Sequence, residues 1–136
     1  MISNRERLRK MVAGQEVILR GVSALEYMDL FVGYMAEQQI EVYLRVDLSD
    51  RFDSTIIENF DGIDYFVDND VRCSTISQVV NDMLNEYDSM DATALAEALS
   101  EYHEINGSLE GINIEPQNTL YFREMQDWAL EFHYGV

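Results

Sequence analysis

The chain has 136 residues, 47% of them hydrophobic, and sets 26 acidic against 9 basic residues for a formal net charge of −17. That length and apolar content suit a single globular domain over 1–136 and exclude a disordered chain. The charge argues against direct binding of DNA, RNA or an anionic membrane by the body of the domain.

The charge is uneven. Residues 1–20 hold Arg5, Arg7, Arg9, Lys10 and Arg20 against Glu6 and Glu16, a surplus of +3, so the rest of the chain carries −20. Within that first stretch Ser3-x-x-Glu6 is a capping box, in which the serine oxygen takes an orphan helix N–H and the glutamate reaches back. Leu8, Met11 and Val12 follow at helical spacing, and Gly14 is a natural stop. The sequence lacks the apolar core of a signal peptide at this end. Glu16–Leu19 reads as a strand. Ser23-x-x-Glu26 is a second capping box, predicting a short helix with Leu25, Met28 and Phe31 or Val32 on one face and an end near Gly33.

The middle is β-rich. Gln39–Val46 alternates apolar and polar residues with period two, as a half-buried strand does. Residues 55–57 and 63–67 read as further strands, and Asp61-Gly62 between them is a hairpin signal. Asp68-Asn69-Asp70 is another turn, followed by a short strand at 71–73. Thr75-x-x-Gln78 is a third capping box, and Ile76, Val79, Val80, Met83, Leu84 and Tyr87 then form one apolar stripe. Asp91 caps a helix carrying Leu95, Ala98, Leu99 and Tyr102, which Asn106-Gly107 ends. Asn118 is the expected cap of the last helix, with Tyr121, Phe122, Met125, Trp128, Ala129 and Phe132 inward and Glu124, Asp127 and Glu131 outward. The predicted class is α/β (α+β): a small, mostly antiparallel central sheet packed with short N-terminal helices and three C-terminal helices.

The inventory for chemistry is thin. Neither His103 nor His133 has a second ligand at helical spacing, and there is no H-E-x-x-H pattern. Asp68-Asn69-Asp70 lacks the sixth-position Gly and twelfth-position Glu of a calcium loop. Cys73 alone cannot make an internal disulfide, which fits a cytoplasmic protein, and at a strand end it reads as a small buried hydrophobe. No P-loop, G-x-G-x-x-G or G-x-S-x-G occurs. The expectation is a non-enzyme with no metal and no cofactor. An enzyme would require a pocket that sets Cys73 or a histidine beside perturbed carboxylates.

Two stretches carry a resemblance. Val17–Leu30 (VILRGVSALEYMDL) and Val71–Leu84 (VRCSTISQVVNDML), the second followed by ALAEALSEY at 94–102, resemble segments of antitoxins of the abortive-infection E-i type, the antitoxin half of a type IV toxin–antitoxin pair. Together they cover about half of the chain. The family opens with a winged-helix DNA-binding domain that has no counterpart here before residue 15, and its arginine in the second motif is Gln78 or Val79 in this chain. The resemblance therefore implies the portion that does not bind DNA, without DNA-binding autoregulation and without catalytic residues.

The expected function is that of a bacterial regulatory or antitoxin-like protein acting through contacts with a protein partner, a toxin or another basic protein. The alternative is a phage-related acidic inhibitor that mimics nucleic acid in the groove of a basic enzyme. Candidate contact residues are Arg5 and Arg9 on the basic first helix, and Glu97, Glu101, Glu124, Asp127 and Glu131 on the last two. The basic helix could equally pair with the acidic body of its own domain. A homodimer is left open.

Overall fold

The computed structural model describes residues 3–33 and 39–134, except for the side chains of 132–134. Phe132 and His133 therefore lie on the last helix with side chains outside the described residues.

Helix α1 spans Asn4–Val12, with the Ser3 hydroxyl accepting the Glu6 N–H at 3.1 Å as its cap. Leu8 and Val12 point into the core. Strand β1, Val17–Leu19, runs into helix α2, Gly21–Tyr27. Here the predicted capping box is corrected. Ser23 lies inside the helix and caps nothing there, because the chain turns earlier, at Gly21, whose φ of +54° is left-handed. A Cβ on Gly21 would stand 2.7 Å from the Glu41 carboxylate, so both the backbone angle and the space call for glycine. The cap comes from another element. Glu41 Oε2 accepts the Val22 N–H at 2.9 Å, and the Glu41 N–H donates to Ser23 Oγ at 2.9 Å. This is the reciprocal logic of a capping box, assembled between a strand and a helix.

Strands β2 (Ile40–Leu44), β3 (Phe52–Ile56), β4 (Tyr65–Asp68) and β5 (Val71–Ser74) join β1 in one sheet of order β3-β2-β1-β5-β4. The sheet is mixed rather than mostly antiparallel. β1–β2 and β4–β5 are antiparallel, whereas β1–β5 and β2–β3 are parallel. β2 is buried along nearly its whole length, which the alternating pattern did not anticipate: Ile40, Val42 and Leu44 face the core, and on the other face Glu41 bonds to α2 and Tyr43 to Asp82 in the helix that follows β5.

The expected hairpin across Asp61-Gly62 does not form: β3 and β4 occupy opposite edges of the sheet. The turn signal itself is real, since Asn59 Oδ1 accepts the Asp61 N–H at 2.9 Å, but the turn sits inside a crossover. Residues 57–64 can span about 26 Å at roughly 3.3 Å each, more than the ~19 Å of four inter-strand gaps. Phe60 in this crossover packs edge-on against Tyr65, and the Arg72 guanidinium lies 5.7 Å from its ring.

Helix α3, Ile76–Asn85, is capped by Thr75, whose hydroxyl accepts the Gln78 N–H at 3.3 Å. Gln78 does not reach back; its side chain accepts the Asp64 N–H and donates to Asp82. Val79, Val80, Met83 and Leu84 are buried, and burying each such side chain contributes about 1.5–3 kcal/mol. Helix α4, Ala92–Asn106, starts at the Asp91 cap and ends at Gly107 in the left-handed conformation, as predicted. Helix α5, Thr119–Tyr134, follows a 3-10 turn at Pro116–Asn118 and packs along α4. Asn118 precedes α5, but its amide turns away to donate to Asn81 and Asn85 on α3. Met125 and Ala129 are buried as expected, Phe122 and Trp128 are half-buried, and Tyr121 is exposed, contrary to its predicted inward place. One apolar cluster runs from Leu8 on α1 through the sheet to Ala129 on α5.

Candidate functional site

The basic helix is turned onto its own domain. The Arg5 guanidinium pairs with Asp29 at 3.0 Å and its Nε donates to the Tyr27 carbonyl at 2.8 Å. Arg7 meets Glu26 at 3.0 Å, and Arg9 lies 3.7 Å from Asp68. Glu26 is 7% exposed, and burial raises its pKa although Arg7 pulls it back down. Arg5 and Arg9, the two cationic contact candidates, thus neutralise acidic residues of this chain while remaining half-exposed.

A second polar cluster follows β1. Arg20 leaves the strand extended and lays its guanidinium 4.8 Å from the centre of the Tyr43 ring. It also donates to Thr55 Oγ1 at 3.3 Å and lies 3.7 Å from Glu86. The Tyr43 hydroxyl donates to Asp82 Oδ2 at 2.6 Å. Burial, reinforced by that bond, pushes the Tyr43 phenol up to about 12, and burial also raises Asp82. Beside Arg20 opens a cleft of about 390 Å³, walled by Glu41, Asp53, Glu86 and Asp91. Desolvation raises the Glu41 carboxyl against the pull of the Val22 N–H and Arg20. Four carboxylates around one guanidinium favour a cationic visitor over an anion. Among the described residues, no group of three His, Cys, Asp or Glu is placed to hold a metal ion.

Neither Cys73 nor His103 lines this cleft. Cys73 is fully buried, its Sγ lies 3.8 Å from the Ala24 carbonyl oxygen on α2, and burial pushes its thiol up to about 12. That places the thiolate nucleophile far from neutral pH. His103 lines an open cleft with Ser108, Glu110 and Gln126 near the end of α4.

The acidic candidates fall on two surfaces. Glu97 and Glu101 line a shallow cleft with Asn4 and Asp29, the corner where Arg5 is anchored. On α5, Leu120, Glu124, Asp127 and Glu131 recur at i, i+4, i+7 and i+11, so they form one exposed stripe. Leu120 is 71% exposed. On the shoulder of the stripe Tyr121 stacks on Tyr87, ring centroids 4.1 Å apart, and the Tyr87 hydroxyl donates to Glu124. The carboxylates of this stripe are legible in the sequence, whereas Tyr87 and Tyr121 read there as core because aromatic residues at helical spacing do so first, and Leu120 carries no signal of its own. The Arg20–Tyr43–Asp82 cluster is not legible there either, because its members are far apart in the chain.

The stretches Val17–Leu30 and Val71–Leu84 contain two strand-to-helix units, β1–α2 and β5–α3, whose strands are adjacent and parallel. Compared with known proteins, the chain matches no family model, no curated protein and no solved structure.

Proposed function

We propose that the protein is a non-enzymatic, antitoxin-like regulator that works by holding a basic protein partner. The observation that carries this reading is the outer stripe of α5, where three carboxylates flank an exposed leucine and a stacked tyrosine pair. Aromatic and leucine side chains supply contact area at a protein interface, while the carboxylates supply steering and register. The paired cations support it as well. Five of the nine basic residues, Arg5, Arg7, Arg9, Arg20 and Arg45, lie within ion-pair distance of the chain's own acids elsewhere in the fold, and Arg123 is the basic residue that α5 itself carries.

The test is co-expression with the product of the adjoining gene, scored by growth and by recovery of a complex. The expected result is a growth arrest relieved by the wild-type chain and no longer relieved by Glu124→Lys/Asp127→Lys/Glu131→Lys, with the melting temperature of that variant little changed. Failure of the wild-type chain to relieve the arrest or form a complex would count against the reading. Adding duplex DNA to the recovered complex discriminates the nucleic-acid mimic, because DNA would then displace this protein from its partner.

A further inference from the structure

The hairpin β4–β5 closes one side of the sheet. β4 is an edge strand, and its one sheet neighbour among the described residues is β5. Asn69 and Asp70 both have left-handed φ, 49° and 67°, which makes their two-residue loop a type I′ turn. In such a turn the flanking pair, here Asp68 and Val71, exchanges both backbone hydrogen bonds. Alternation then makes Phe66 the next bonded residue and turns the N–H and C=O of Tyr65 and Val67 away from β5.

The edge is held in place at both ends. The Tyr27 hydroxyl donates to Asp68 Oδ2 at 2.6 Å, and the Asp64 carbonyl accepts the Thr75 N–H at 3.0 Å. Between these anchors the side chains of Phe66 and Val67 are 37% and 62% exposed. Asp64 and Asp68 flank them along β4, Asp61 precedes the strand in the crossover and Asp70 follows in the turn, and of these Asp68 already pairs with Arg9.

We propose that this edge takes up an extended, basic segment of a partner protein as a sixth strand, with Lys or Arg alternating with apolar residues. Backbone bonds to Tyr65 and Val67 give register, the apolar side chains of the added strand pack on the face that carries Tyr65 and Val67, and its cations lie on the opposite face, which carries Asp64, Phe66 and Asp68. Charge selects the occupant. A second copy would bring the same aspartates face to face, and like charges across a strand pair are destabilising. The edge is separate from the α5 stripe, so each surface can fail without the other.

The probe is a synthetic peptide of alternating Lys and Val, with a Glu-Val peptide as control, read by residue-resolved amide hydrogen exchange. At saturation the Lys-Val peptide should slow exchange at Tyr65 and Val67 about tenfold or more, and the Glu-Val peptide should not. Val67→Pro removes an N–H that the native ladder does not use, so it should abolish that protection in a folded protein. If Val67→Pro does not fold, the assigned bonding alternation is wrong and the proposal falls. Asp61→Asn/Asp70→Asn should keep the fold and weaken the peptide severalfold at low salt. Three results would overturn the proposal: saturable peptide binding that leaves the Tyr65 and Val67 amides unprotected, undiminished binding by the aspartate variant, or protection that grows with protein concentration in the absence of peptide.

Discussion

Asn81 ties α3 to the loop that leads into α5, and replacing it should cost more than any other polar substitution in the domain. It sits among buried apolar neighbours and is 6% exposed. Its Nδ2 donates to the carbonyls of Ser77 at 2.9 Å and Asn113 at 2.8 Å. Its Oδ1 accepts the Glu115 N–H at 3.0 Å and Asn118 Nδ2 at 3.1 Å. In Asn81→Ala, Asn118 keeps Asn85 Oδ1 at 3.0 Å, and the Ser77 carbonyl keeps its place in the helix ladder. The loss therefore falls on the Asn113 carbonyl and the Glu115 N–H. Each group left without its partner costs about 1–3 kcal/mol, and since that loop is partly wet the sum is about 2–4 kcal/mol. Urea denaturation followed by circular dichroism measures it as a lower midpoint at unchanged slope. Asn81→Asp sharpens the test. It keeps the acceptor but faces two carbonyls with a second acceptor, so it should be worse than alanine at neutral pH and recover on acidification, when the protonated acid can donate. A cost below about 1 kcal/mol for Asn81→Ala, or no pH dependence in Asn81→Asp, would refute the reasoning.

Glu26, Glu41 and Asp82 all have folded pKa values raised chiefly by burial, so the folded state takes up their protons before the unfolded chain does. Stability should rise as pH falls from 8 through those raised values, with the gain complete below the ordinary 4.5 and 3.8. Thermal melts at pH 8 and pH 5 check this, and a lower melting temperature at pH 5 would contradict it. Cys73, fully buried with its thiol pushed up to about 12, should resist a thiol reagent at pH 8 in the native protein and react once urea unfolds the chain. Rapid native labelling would mean that the β5–α2 contact opens.

What was legible in the sequence was local. Ser3, Thr75 and Asp91 each cap the helix predicted for them, and Gly107 ends its helix in the conformation glycine favours. These signals act within four residues, where sequence distance and spatial distance coincide. The failures share the opposite property. Ser23-x-x-Glu26 has the spacing of a box, yet Glu41, eighteen residues beyond Ser23, supplies the cap and leaves Glu26 to pair with Arg7. Asp61-Gly62 marks a turn, but a turn signal cannot say whether the strands beside it pair or part. The Arg20–Tyr43–Asp82 cluster joins three elements, and nothing local announces it. On α5 the carboxylates were placed correctly, whereas Tyr121 was assigned to the core because an exposed aromatic follows the same spacing as a buried one.

The sheet order has a consequence for the timing of assembly. β1 lies beside β5, so Ile18 and Leu19 gain their second neighbours from Arg72 and Cys73, more than fifty residues later in the chain. The three-strand half β1–β2–β3 can form from nearby segments, but its open side stays unpaired until β5 arrives to close it. Loop closure over that distance comes before any reward from the central pair, so the β1–β5 pairing is expected to form late in folding. During synthesis the apolar edge of β1 waits for most of the domain to emerge, and the strongly negative charge of the body is well suited to keeping such incomplete chains apart.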